Sequence, residues 1–127
     1  MIEVTDGDTV VVRLESGGVE RVRYIGVDTP ESTPDQPAEC FGHQAAAANR
    51  RLVAGRVVSL EPGAERRDDY GRLLAYVRRR GLMVNAELVR RGLARSLTIP
   101  PNDARAMLFE RLESAAARSG TGLWALC

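Results

Sequence analysis

Between residues 6 and 31 the chain spells out a β-hairpin with acidic groups at both ends. Asp6-Gly7-Asp8-Thr9 leads into a run of β-branched residues at 9–14, and Ser16-Gly17-Gly18 supplies a turn. A second run at 19–27 then returns to Asp28-Thr29-Pro30-Glu31. Two strands cannot bury an apolar face alone, so the hairpin demands a further layer. Chain reversal also brings its two acidic ends together, with Arg23 on the returning strand. Carboxylates and a guanidinium gathered in this way have two uses: they hold a hard cation, or they do acid/base work beside one.

A later segment, Asp68-Asp69-Tyr70-Gly71-Arg72, adds a second arginine. Carboxylates for a metal and paired arginines for a phosphate are the components of a metal-assisted phosphodiester hydrolase. Charge is distributed to match. Residues 1–45 hold nine acids against three arginines (net −6), while residues 46–127 hold fifteen arginines against eight acids (net +7). Overall the charge is only +1, and every basic residue is arginine, the better bidentate phosphate ligand. A surface of scattered charges is the alternative reading of the same numbers.

At 127 residues the chain is one domain, 1–127, able to bury roughly two-thirds of its unfolded surface. No apolar run approaches the ~20 residues that span a membrane. Met1-Ile2-Glu3 opens no signal peptide, and the chain begins almost inside its first strand. A trimmed domain, or a mature form whose export signal lies outside this chain, is expected. Cys40 and Cys127 fit no zinc motif, and the single His43 reads as a solvated or capping residue at a helix start.

Further along, residues 29–39 contain three prolines and read as a loop. Phe41, Ala45, Ala48 and Leu52 form one helical face that stops at Gly55. A strand at 56–60, a polar loop at 61–69 and a strand at 72–78 returning through Gly81 to Met83 follow. Asn85 is placed to cap a short helix closed by Gly92, and residues 93–97 can add a last strand. Pro100-Pro101-Asn102 would start the final helix, with Leu108, Leu112 and Ala115 on its inner stripe and Trp124 folding back. Tyr24 and Tyr76 lie in strands and read as core or rim. The expected fold is α+β with a mainly β core, a five-stranded barrel of OB type with three helices. An open α+β sheet is the alternative.

With these pieces assembled, the chain resembles the staphylococcal (micrococcal) nuclease, or thermonuclease, family from residue 5 to about residue 124. The likeness is carried by Asp6-Gly7-Asp8-Thr9, Arg23-Tyr24-Ile25-Gly26-Val27-Asp28-Thr29-Pro30-Glu31, Asp68-Asp69-Tyr70-Gly71-Arg72 and Met83-Val84-Asn85-Ala86-Glu87-Leu88-Val89, in that order. The resemblance implies a calcium-dependent enzyme that hydrolyses DNA and RNA and leaves 3′-phosphates. It implies Asp8, Asp28 and the main-chain oxygen of Thr29 as calcium ligands, and Glu31 as general base. Arg23 and Arg72 become the phosphate-binding arginines, Tyr70 a phosphate contact and Asp6 a carboxylate supporting the ligands.

Other roles stay open from the residues alone. Glu31 could hold water or complete a metal shell, Asp6 could form a turn, Arg23 could pair with Glu20 across strands, and Tyr70 could pack. A non-catalytic nuclease-like module that binds nucleic acid is the rival function. Such a module is expected to have lost part of the set Asp8, Arg23, Asp28, Glu31 and Arg72, all present here. Three departures from the family pattern stand out: Leu97 and Ile99 where tyrosines occur, a short first strand, and two cysteines. The cysteines of a family that is often secreted are expected to pair as a Cys40–Cys127 disulfide in a monomeric extracellular protein without membrane partners.

Overall fold

A computed structural model of the protein describes residues 2–31 and 39–127. The hairpin forms as expected, β2 (Thr9–Arg13) running antiparallel to β3 (Val19–Tyr24), and β1 (Ile2–Asp6) lies antiparallel on its outer side. β3 then pairs in parallel with β6 (Leu73–Arg79), which pairs antiparallel with β5 (Ser59–Arg67) and, at its far end, with β7 (Leu82–Met83). The order is β1-β2-β3-β6-β5, with β7 off β6. A separate two-stranded ladder joins β4 (Val27–Asp28) to β8 (Arg95–Ser96).

The α+β class is as read, but the closed five-stranded barrel is not. Among the described residues no ladder joins β1 to β5, so the main sheet is open with those strands as its edges. Both edges are poorly equipped for pairing. β1 has five residues, and β5 carries Pro62, which has no N–H, followed by a register shift before Arg67. That edge position also explains why the strand continues through Pro62 and Gly63, where a polar loop was expected.

Among the described residues four helices accompany the sheet: α1 (Gly42–Val53), α2 (Val84–Arg90), α3 (Ala106–Ser119) and the single turn α4 (Leu123–Leu126), the last additional to the three expected. The α1 face is the one read from the sequence, with Ala45, Ala48 and Leu52 buried and Phe41 packed against the same core. The core is built from Val10, Val12 and Val22 of the hairpin, Val77 of β6, and Val84, Leu88 and Val89 of α2. Each such aliphatic side chain stabilises by roughly 1.5–3 kcal/mol when fully buried. α3 differs from its expected form. It begins at Ala106, and its buried residues are Phe109 and Ala116, while Leu108 and Ala115 face outward.

Two further corrections concern single residues, Asn85 and Gly26. Asn85 does not cap α2, whose N-cap is Met83. It is wholly buried: its Oδ1 accepts the Val77 N–H at 2.8 Å and its Nδ2 donates to the Ile25 carbonyl at 2.9 Å. The expected strand at 19–27 breaks at Gly26, whose φ of 81° is a left-handed turn. A Cβ there would meet the Phe109 ring at 2.2 Å, so the bend and the α3 anchor depend on one another.

Tyr24 and Tyr76 are core residues, as read. The Tyr24 hydroxyl donates to Asn49 Oδ1 at 2.6 Å, and Asn49 Nδ2 donates to the Asp6 carbonyl at 3.0 Å, tying α1 beneath the hairpin's acidic end. Cys40 and Cys127 form a disulfide across 87 residues, and Trp124 folds back with the Arg95 guanidinium 4.6 Å from its ring centroid. No helix among the described residues is long and apolar enough to cross a membrane.

Candidate active site

Strand register assembles the site. Thr9 lies opposite Arg23, and the Tyr24 N–H donates to the Asp8 carbonyl at 2.9 Å, which brings the turn after β1 against the end of β3. The Gly26 bend then carries β4 back so that Asp28 and Thr29 arrive beside Asp8. The Thr29 N–H donates to Asp8 Oδ2 at 3.0 Å. Asp8 is buried, with Oδ1 taking the Thr9 hydroxyl at 3.0 Å, whereas the Asp28 side chain is half exposed.

Arg23 is fixed in the middle of this group. Its Nη1 donates to the carbonyls of Tyr24 and Val27, each at 2.7 Å, and its Nη2 lies 3.4 Å from Asp8 Oδ2 and 3.8 Å from Asp28 Oδ1. The alternative pairing of Arg23 with Glu20 does not occur; Arg67 takes Glu20 instead, at 2.8 Å. Asp6 is buried and does form the turn, its Oδ1 accepting the Gly7 N–H at 2.6 Å. It also accepts a hydrogen bond from the protonated Glu31 carboxyl.

Four carboxyl groups, Asp6, Asp8, Asp28 and Glu31, thus gather in one cluster, in which Arg23 acts on Asp6, Asp8 and Asp28 and Arg95 adds its charge at Asp28. Partial burial, then the hydrogen bond and charge of Asp6, and then Asp8 and Asp28 push the Glu31 carboxyl up to about 7. Burial and the neighbouring Asp8 charge raise Asp28, and burial raises Asp6 despite its bond from Gly7. Burial is the largest cause of all three shifts and neighbouring carboxylate charge adds to it; a bound cation would favour the ionised forms. The donors are all hard oxygens, suited to a hard cation rather than to a soft metal. Among the described residues no three His, Cys, Asp or Glu side chains are gathered into a ready-made metal cluster. A cation here would therefore rest on two aspartates supplemented by main-chain oxygen and water.

The second half of the site is a groove of about 320 Å³ lined in part by Arg23, Asp68, Tyr70, Arg72, Leu97 and Ile99. Arg72 precedes β6 and is held in a closed turn: its Nε donates to Asp68 Oδ2 at 2.7 Å, and Asp68 Oδ1 accepts the N–H groups of Tyr70 and Arg72 at 3.0 and 2.9 Å. Asp68 thus anchors Arg72, a role that sequence reasoning missed. Its signal is the Asp-x-x-x-Arg spacing across a glycine turn. Tyr70 is not a packing residue; it is three-quarters exposed, with Arg72 Cζ 5.7 Å from its ring centroid. Leu97 and Ile99 are likewise exposed on the groove wall. Arg23 lines the groove and touches the acid cluster, whereas Arg72 reaches only the groove.

A groove lined by two arginines beside a cluster of carboxyl groups, set on a small α+β body, suits a phosphoester hydrolase. The chain matches the model of the staphylococcal nuclease homologue family over residues 21–126. It is 39% identical over 122 residues to a thermonuclease of Staphylococcus intermedius, covering 95% of this chain and 72% of that protein. It is 35% identical over 125 residues to a thermonuclease of Staphylococcus hyicus, covering 98% and 73%. Endonuclease YncB of Bacillus subtilis (strain 168) is 38% identical over 122 residues, covering 94% of this chain and 57% of that protein. The chain belongs to the staphylococcal nuclease family.

Proposed function

We propose that this nuclease is calcium-dependent, cleaves phosphodiester bonds of DNA and RNA, and leaves 3′-phosphate ends. The observation that carries the reading is the double placement of Arg23, on the groove wall and in an ion pair 3.4 Å from Asp8 of the carboxylate cluster. A phosphate bound by Arg23 and Arg72 therefore lies at the edge of the cluster, where calcium and a nucleophilic water are both within reach.

Asp8, Asp28 and the Thr29 carbonyl would hold the calcium, which neutralises phosphate charge and orients water when bound. Arg23 and Arg72 donate to the phosphate oxygens, and those bonds strengthen as charge builds in the pentacoordinate transition state. Anchoring by carbonyls and by Asp68 keeps both guanidinium groups in place before substrate arrives. Glu31, raised to about 7, is a carboxylate basic enough to take the proton of the attacking water near neutral pH. Asp6 accepts a hydrogen bond from Glu31 while Glu31 is protonated, and its charge keeps the Glu31 carboxyl basic; Tyr70 meets a substrate phosphate from the groove rim. The disulfide supports an extracellular home.

Incubating labelled single-stranded DNA and RNA with the protein in calcium or in chelator tests this reading. Cleavage in calcium alone, with phosphate on the 3′ end of each new terminus, is expected. Equal cleavage in chelator, or 5′-phosphate ends, would overturn it.

A further inference from the structure

Glu39 has no part in the site described so far, yet it grips the residue that presents the base. Its Oε1 accepts the Glu31 N–H at 2.8 Å, and its own N–H donates to the Glu31 carbonyl at 2.9 Å. Two bonds between one pair of residues fix the Glu31 backbone on both sides of its Cα while leaving its carboxyl free to meet Asp6. Glu39 is held in turn. The adjacent Cys40 is bonded to Cys127, whose N–H donates to the Leu123 carbonyl at 2.8 Å. Leu123 is buried, and its N–H donates to the Gly92 carbonyl at 2.8 Å. A continuous path thus runs from the core through the disulfide to Glu31. A small cavity of about 170 Å³, lined by Asp28, Thr29, Glu39, Cys40 and Cys127 among others, shows that the crosslink sits against the segment carrying Asp28 and Thr29.

We propose that Glu39, anchored by the Cys40–Cys127 disulfide, is a positioning residue that sets Glu31 for attack on the phosphodiester. The inference rests on the reading of Glu31 as the proton acceptor. The physical reason is that Glu31 lies in an exposed loop, outside any strand or helix, so neither ladder nor core fixes its main chain. A base displaced by about 1 Å can cost about 10²-fold in rate, which makes a clamp at this position effective.

Four variants, assayed with calcium and DNA at saturation, test the proposal: Glu39→Ala, Glu39→Gln, Glu31→Gln and the double Cys40→Ser/Cys127→Ser. Glu39→Ala keeps the disulfide and should lose about ten- to a hundredfold in kcat with KM within about twofold of the parent. Glu39→Gln retains an oxygen acceptor for the Glu31 N–H and should recover most of that loss. This separates the hydrogen bond from the charge of Glu39, which also repels Asp28. The double cysteine variant should lower kcat in the same direction, and a fifth variant combining it with Glu39→Ala should lose no more than Glu39→Ala alone, because both act through one clamp. Parental kcat in Glu39→Ala, with Glu31→Gln inactive, would overturn the proposal while leaving Glu31 as the base. Failure of Glu39→Gln to recover activity would show that charge, not positioning, is at work, and would overturn it too. Full turnover by Glu31→Gln would instead remove the reading on which the proposal stands.

Discussion

Arg23→Ala is expected to damage stability and catalysis together, because this side chain has two separate tasks. The guanidinium is largely buried, at 16% exposure, and its Nη1 spans the Gly26 bend by bonding the carbonyls of Tyr24 and Val27. Hydrogen bonds to a charged group contribute about 1.5–3 kcal/mol each, so losing both costs at most about 6 kcal/mol. Water entering the space left by alanine can reach the two carbonyls and brings the expected loss to about 3 kcal/mol. For a chain of this size that lowers Tm by about 10 °C. The same substitution strips Asp8 and Asp28 of their nearest cation, so added calcium should narrow the Tm gap between variant and parent. Loss of a donor to the transition state should also lower kcat by about 10²–10³. Calorimetric melts with and without calcium, alongside turnover of a DNA oligonucleotide, measure both effects. Arg72→Ala is the internal comparison. Arg72 is more exposed and is held by Asp68 on the groove rim, so its kcat loss should be similar and its Tm loss smaller. An Arg23→Ala protein that melts with the parent would refute the clamp across the bend.

Removing the disulfide as Cys40→Ser/Cys127→Ser should destabilise by at most about 4–5 kcal/mol in the chain-entropy model for an 87-residue loop, a Tm fall of up to about 15 °C by calorimetry. Acid unfolding should report Glu87, which hydrogen bonds from Arg90 and Arg91 hold at about 2. A folded pKa below the unfolded one gives stability present above about pH 4.5 and lost as pH falls through 2, on the order of 3 kcal/mol. Glu31 acts with the opposite sign: its contribution is present below pH 4.5 and lost as pH rises through 7, so the metal-free protein should be more stable near pH 5 than near pH 8 in denaturant titrations. Installing Leu97→Tyr with Ile99→Tyr on the groove wall should lower KM about tenfold at unchanged kcat, since base–aromatic stacking is worth ~1–3 kcal/mol per base.

What the sequence made legible were features encoded by neighbours in the chain. The hairpin, its acidic ends and the α1 stripe follow from local periodicity and turn residues, and each appears in the structure. The Asp68–Arg72 turn is local as well, and only the role of Asp68 went unread. Features set by distant contacts were not legible. Asn85 looks like a helix cap because its partners, Val77 and Ile25, are remote in sequence or on another strand. Gly26 sits within an apparently continuous strand, and the reason it bends is the Phe109 ring from α3. The inner face of α3 was misjudged by one residue, since Phe109 rather than Leu108 meets that bend. Barrel closure likewise depends on how β1 and β5 approach each other, which no local pattern specifies. In the site, the carboxylates and arginines could be named, but not the sharing of Arg23 between groove and acid cluster. The Glu39 clamp on Glu31 joins residues eight apart, and the composition of the intervening segment, which lies outside the described residues, gives no hint of it.

The central claim is that Asp8 and Asp28 hold the calcium on which cleavage depends. Its most direct test is the calcium dependence of DNA hydrolysis by Asp28→Ala beside the parent, with far-UV circular dichroism confirming that both are folded. Asp28 is half exposed and its partner Arg23 keeps its carbonyl anchors, so the fold should survive the substitution. The parent should show saturable activation by calcium. The variant should show none in the same range and turn over about a hundredfold more slowly or worse. A folded Asp28→Ala protein with the parent's calcium curve and turnover would contradict the account.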